Sequence, residues 1–300
     1  MRVMSKGRWK TWLSAALTRL MRPRADAAAR SGMTAGGGLG APSRQCRPGT
    51  VYLVGAGSGD VELLTLKAAR LLGEADAVVY DRLVGDEVLA LIPAGTERCY
   101  VGKARGQHSV PQGEIGARLV ALAQEGKSVV RLKGGDPGIF GRLGEELSAL
   151  AEAEVPAEIV PGITAASAAS AALGIPLTDR AHAQQLRFVT AQLCRQGGEP
   201  DWQALARRDE TLVFYMGLGK LETICRKLRD GGLPDDWPIL LVANASLPEQ
   251  RALVGTLADM PDKLAASPLP SPCLIVVGSV VRLCETSPAS PLSGVNARPD

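Results

Sequence analysis

The chain has 300 residues, 46% hydrophobic and 22% charged, enough for one large or two medium domains. Its net charge of +3 is uneven: residues 1–48 carry ten Lys/Arg and one acid, Asp26, so the rest is net −6 and offers no case for nucleic-acid binding. No apolar run approaches the roughly 18 residues of a membrane span, and six scattered cysteines without a CxxC pair, beside two histidines, argue against a metal site or a disulfide framework.

Residues 9–21 place Trp9, Trp12, Leu13, Ala16, Leu17, Leu20 and Met21 at helical spacing with Arg and Lys on other faces, a short basic amphipathic helix. A flexible glycine-rich linker follows at 36–40. The segment could touch a membrane surface or a partner, or act as a targeting peptide. The favoured reading is an extension without a catalytic role, with Met33 an alternative start. It lacks the apolar stretch and small-residue cleavage site of a secretion signal. The expectation is a cytoplasmic protein with buried, reduced thiols and no stable membrane insertion.

From residue 50 strand-like and helix-like stretches alternate. Strands are expected at 50–54, 77–80, 99–101, 129–133 and 158–160, with helices at 61–72, 111–124 and 145–152. Asp60 is a plausible N-cap of the first helix, and Pro111 sits where a missing N–H costs nothing. This alternation predicts an α/β fold with a largely parallel first sheet. The second half has five strands, 186–190, 211–216, 239–243, 252–256 and 274–281, with helices near 221–230 and 259–265, which predicts a mixed sheet. The expected organisation is an extension over 1–48, a first α/β domain over 49–165, a second over 166–285 and a disordered tail over 286–300.

The first strand runs into VGAGSGD at 54–60. Glycines there permit close approach of a ligand or simply make a tight turn. The spacing is GxGxG rather than GxGxxG, and Asp60 stands where a pyrophosphate would meet the helix, so a nicotinamide dinucleotide is disfavoured. Asp81, Lys103, Gly134-Gly135-Asp136 and Pro161-Gly162 each follow an expected strand. Ligand sites of open α/β sheets gather at such carboxyl ends. Glycine and an acid together suit a polar, neutral or cationic ligand, such as one bearing a sulfonium and an amino-acid group.

These segments resemble the tetrapyrrole methyltransferases, in particular the branch acting on uroporphyrinogen III and the carboxyl-terminal half of bifunctional sirohaem synthases. The carriers are VGAGSGD (54–60), VYDRL (79–83), HSVPQ (108–112), VVRLKGGDP (129–137), IFGR (139–142), VPGITAA (160–166), GIPLT (174–178) and TLVFYMGL (211–218). The resemblance spans about residues 49–283. It implies a two-domain fold with the site in the inter-domain cleft and a homodimer. It also implies S-adenosylmethionine as co-substrate, no metal, and transfer of two methyl groups to uroporphyrinogen III, giving precorrin-2 for sirohaem or cobalamin synthesis. Carried over residue by residue, it assigns cofactor contacts to Gly134, Gly135, Asp136, Ile139, Thr164, Ala165 and Met216, with two more on Ser58 and Ala245, where the family usually has Pro and Gly. Asp81 and Lys103 fall on the proton acceptor and donor, and Arg142 on a substrate contact. Lys103, Arg105, Arg131, Lys133, Arg142 and Arg180 would offer cations to a polycarboxylate substrate.

Each residue also has a plainer reading. Arg131 and Lys133 alternate along one strand, so one could be solvated; Asp81-Arg82 could be a local ion pair; Met216 could be core. The chain departs from the family pattern at Gly138, Leu143, Asp179, Ala181 and Gln192, and Asp179 is expected to repel a substrate carboxylate. The rivals are a methyltransferase for another precorrin, a non-catalytic S-adenosylmethionine-binding protein and, least favoured, a nicotinamide oxidoreductase.

Overall fold

The computed structural model describes residues 45–102, 111–191 and 200–286. The basic segment, Lys103, Arg105, His108, Gln192 and Cys194 lie outside the described residues. The first sheet contains β1 (Val51–Gly55), β2 (Ala77–Tyr80), β3 (Glu97–Tyr100), β4 (Val129–Lys133) and β5 (Ala157–Val160), in the order β3-β2-β4-β1-β5. Every pairing is parallel, as expected, with Leu53 and Val79 flanking Arg131. All five strands therefore end at one edge of the sheet.

Alternation along these strands builds two cores. Tyr52, Val54, Val78, Val130 and Leu132 pack on α1 (Leu66–Glu74) through Ala68, Leu71 and Leu72. Val51, Leu53, Val79 and Val129 face α3 (Gln112–Gln124) and α4 (Leu143–Glu152), meeting Ile115, Leu119 and Leu150; α2 is a single turn, Asp86–Leu89, that the sequence did not announce. The expected helix over 61–72 is divided. Asp60 caps a 3-10 turn at Val61–Leu63 by accepting from Glu62 N, the chain then extends through Leu64 and Thr65, and the Thr65 hydroxyl accepts from Ala68 N to start α1. A second capping residue restarts the chain, which apolar spacing does not register.

The small-residue stretch after β5 forms α5 (Ala165–Leu173), which ends at a left-handed Gly174. The second sheet contains β6 (Gln185–Thr190), β7 (Glu210–Tyr215), β8 (Pro238–Ala243), β9 (Arg251–Thr256) and β10 (Cys273–Val277), in the order β6-β7-β10-β8-β9. Only β6 and β7 are parallel, so this sheet is mixed, as expected. One face meets α5 through Ala166, Ala169 and Leu173. The other meets α7 (Leu221–Asp230), whose Leu221, Ile224, Cys225 and Leu228 form one stripe; α6 (Trp202–Leu205) and α8 (Met260–Ala266) flank it. Each of the leucine and isoleucine side chains among these contributes roughly 1.5–3 kcal/mol on burial. The last expected strand stops at Val277, where Gly278 turns the chain into a 3-10 segment and α9 (Leu283–Thr286). Cys225, Cys273 and Cys284 are buried, and burial pushes the Cys225 and Cys273 thiols up to about 12. No helix among the described residues is long and apolar enough to cross a membrane.

Candidate active site

A cavity of about 720 Å³ opens beyond the carboxyl ends of β1, β2 and β4 and is completed by the ends of β7 and β8. Glycine turns after β1 and β4 line it through Gly57, Gly134 and Gly135, and the Gly162 turn packs against them. A Cβ on Gly55 would lie 2.6 Å from the Gly135 carbonyl and from Gly162 Cα, so these backbones meet where no side chain fits. Gly57 and Gly135 exchange backbone bonds of 3.2 and 2.6 Å. The Asp136 carboxylate fastens the turns together: Oδ1 accepts from Gly138 N at 2.8 Å and Oδ2 from Gly162 N at 3.0 Å.

The described candidates converge here. Ser58 lies on the turn after β1, Asp81 after β2, and Gly134, Gly135, Asp136, Ile139 and Arg142 after β4. Thr164 and Ala165 open α5, while Met216 follows β7 and Ala245 follows β8. All eleven line the one cavity.

Met216 is not core: it is 49% exposed and left-handed at φ 57°. Phe140, Arg142 and Asn244, at φ 51°, 54° and 50°, share this sparsely populated backbone and the cavity wall, a concentration of strain common at ligand sites. Neither is Asp81 paired with Arg82. Its Oδ2 accepts from Arg131 Nη2 at 3.0 Å, and Arg82 is exposed on the wall.

Arg131 and Lys133 are both buried, at 3% and 4% exposure, so the plainer reading that one is solvated does not hold. Residues two apart share a strand face, and this face is covered by α4. There Glu146, 0% exposed, accepts from Arg131 Nε at 2.9 Å and Lys133 Nζ at 2.7 Å. Burial, then the neighbouring Arg131, pushes the Lys133 ammonium below its ordinary value against the pull of Glu146. Both cations also line the cavity, with their charges met there by Glu146 and Asp81.

Tyr215, which lines the cavity, and Ser246 and Glu146, which bond to residues that line it, escaped sequence reasoning. The Tyr215 hydroxyl meets Thr164 Oγ1 at 2.7 Å and accepts from Ala166 N at 3.2 Å, its ring lies 5.0 Å from that of Phe140, and burial raises its pKa. Ser246 Oγ lies 2.6 Å from Ser58 Oγ, tying the first half of the chain to the second. The signal for Glu146 was present: it precedes Leu150 by four residues, a carboxylate in an apolar stripe. Tyr215 and Ser246 had none. Asp179 is not among the cavity-lining residues; it closes a turn with Ala183, and its Oδ1 accepts from Ala181 N at 2.8 Å. Arg180 does not line the cavity either.

A parallel sheet joined to a mixed one, with a glycine-lined cavity at the strand ends, defines an α/β ligand-binding protein of the kind that positions a small molecule at carboxyl edges. Residues 50–261 match the family model of Tetrapyrrole (Corrin/Porphyrin) Methylases, and the chain belongs to that family. It is 53% identical over 237 residues to a sirohaem synthase of Acinetobacter baylyi, covering 79% of this chain and 52% of that protein. A sirohaem synthase of Nitrosomonas europaea is 51% identical over 235 residues, covering 78% and 50%. The chain thus spans about half the length of these curated relatives. Among solved structures, the uroporphyrin-III C-methyltransferase of Thermus thermophilus complexed with S-adenyl homocysteine is 44% identical, with a TM-score of 0.67 and coverage of 78% of this chain and 99% of that one.

Proposed function

We propose that the chain is an S-adenosylmethionine-dependent C-methyltransferase that converts uroporphyrinogen III to precorrin-2 by two methyl transfers. It would work in the cytoplasm as a homodimer and serve sirohaem or cobalamin synthesis. The observation that carries this reading is the placement of Asp81, held by a buried arginine, on the same cavity as the Gly134-Gly135-Asp136 turn. Its support is the family match and the S-adenyl homocysteine complex of a solved relative at 44% identity.

The residues suit the co-substrate. The glycine turns bring main-chain groups to the cavity surface, and Ile139, Met216, Val242 and Leu247 give it apolar walls. The volume falls within the roughly 300–1,000 Å³ of small-molecule sites. S-adenosylmethionine supplies a methyl group on a sulfonium. Gly134, Gly135, Ile139, Thr164, Ala165, Met216, Ser58 and Ala245 would orient it, and Asp136 would hold their turns in place. Orientation alone can replace about 7–11 kcal/mol of barrier. The nucleophile is an electron-rich ring carbon of the substrate, so no Ser or Cys nucleophile is required. Asp81 would accept the proton that this carbon loses after methylation, a general-base role worth roughly 10²–10⁴-fold. Lys103 is the proposed donor. Arg142, though bonded to Glu145 at 2.7 Å through both Nε and Nη2, and Arg82 stand at the exposed wall, where substrate carboxylates would arrive.

The test is anaerobic incubation with S-adenosylmethionine and uroporphyrinogen III made in situ, following S-adenosylhomocysteine release and the product's mass. Two added methyl groups are expected, and Asp81→Asn should lower kcat by about 10²-fold or more. Cofactor binding without methyl transfer would sink the substrate assignment.

A further inference from the structure

We infer that Glu146 is a positioning residue of this site, setting the aim of Arg131 and through it the place of Asp81; the inference rests on the methyl-transfer reading. Arg131 has an acceptor for every guanidinium nitrogen: Nε on Glu146 at 2.9 Å, Nη1 on the Leu132 carbonyl at 3.0 Å and Nη2 on Asp81 at 3.0 Å. A planar fork bonded along one side by a fully buried carboxylate has one orientation left for its outer arm. That arm holds Asp81 at the cavity wall.

Glu146 also takes Lys133 Nζ at 2.7 Å, and Gln112 Nε2 closes on Oε1 at 3.3 Å. The Lys133 stem packs close to Gly141, where a Cβ would stand 3.2 Å from Lys133 Cε. One carboxylate on α4 thus fixes two side chains of the central strand. Two cations and two carboxylates balance, so Arg131, Lys133 and Glu146 can remain buried. Loss of the Glu146 charge leaves both cations to share Asp81, and the guanidinium is free to turn.

The test pairs Glu146→Gln with Leu150→Ala, which destabilises the same helix away from the cluster. Glu146→Gln should lower kcat by about 10²-fold while leaving the affinity for S-adenosylhomocysteine unchanged; Leu150→Ala should lower Tm but not kcat. Arg131→Lys, which keeps the charge but lacks the fork, should reproduce the loss of kcat, and it carries the test if Glu146→Gln does not fold. In a crystal structure of whichever variant folds, the contact from residue 131 to Asp81 should be lost. The inference is overturned if the kcat of Glu146→Gln falls no further than that of Leu150→Ala, if cofactor affinity falls in step with kcat, or if Asp81 keeps its place and its contact. A wild-type protein that never methylates uroporphyrinogen III would sink the functional reading instead, and the crystallographic comparison would still decide the positioning.

Discussion

Replacing Gly162 with alanine tests the idea that the glycine turns at the site are backbones packed too closely for any side chain. The added Cβ would press into the Gly135 carbonyl oxygen and lie 2.8 Å from Gly55 Cα, more than half an ångström inside the 3.4 Å at which ordinary contact begins. Gly162 is not left-handed, so the obstacle is space rather than torsion. Both neighbours are backbone, and neither has a rotamer to yield. Overpacking of this kind costs about 1–3 kcal/mol, and two rigid neighbours place this case at the upper end, a fall in Tm on the order of 5–10 °C. The displaced group is the turn whose Asp136 accepts from Gly162 N, so kcat/KM should fall by about 10²-fold as well. Gly113→Ala is the control: it sits in the first turn of α3 with no heavy atom within 4 Å and should stabilise by about 0.5–1 kcal/mol. Differential scanning calorimetry and steady-state kinetics on both variants decide the matter. A Gly162→Ala protein with wild-type Tm and turnover refutes the crowded-turn argument.

The Ser58–Ser246 contact should give a coupling of about 0.5–1.5 kcal/mol in a double-mutant cycle of the two alanine variants, read by denaturant melts; a coupling of zero would mean that the hydroxyls do not bridge the two halves. Asp76 Oδ2 accepts from the Ser128 hydroxyl at 2.7 Å and backbone N–H at 2.8 Å, and these bonds, the hydroxyl first, hold the carboxyl below its ordinary 3.8. A depressed folded value means the stabilisation is fully present above 3.8 and lost as pH falls through the folded value. Asp76→Asn should therefore cost about 1 kcal/mol or less at pH 7, solvent screening included, with wild-type and variant melts converging only below pH 3.8; a gap constant down to pH 2 would contradict the assignment.

The alternation of strand and helix signals, the parallel first sheet and mixed second sheet were legible in the sequence because period-2 and period-3.6 apolar spacing record which face of each element is buried. The glycine turns at strand ends were legible for the same local reason, since an unusual backbone leaves an unusual residue. Local spacing also set limits. It read 61–72 as one helix, where the Thr65 cap restarts the chain.

Partnership was the part that spacing could not supply. Adjacency suggested Arg82 for Asp81; the parallel register of β2 and β4 set Arg131 across from Val79, within reach of Asp81. Ser58 meets Ser246 across 188 residues, and Thr164 meets Tyr215 across 51. Sequence by itself determined which elements form and which residue types gather at their ends, because propensity and periodicity act within a few residues. Only the tertiary structure decided which charges neutralise one another, because a carboxylate on α4 and two cations on β4 are brought together by packing between elements, to which no local pattern is sensitive.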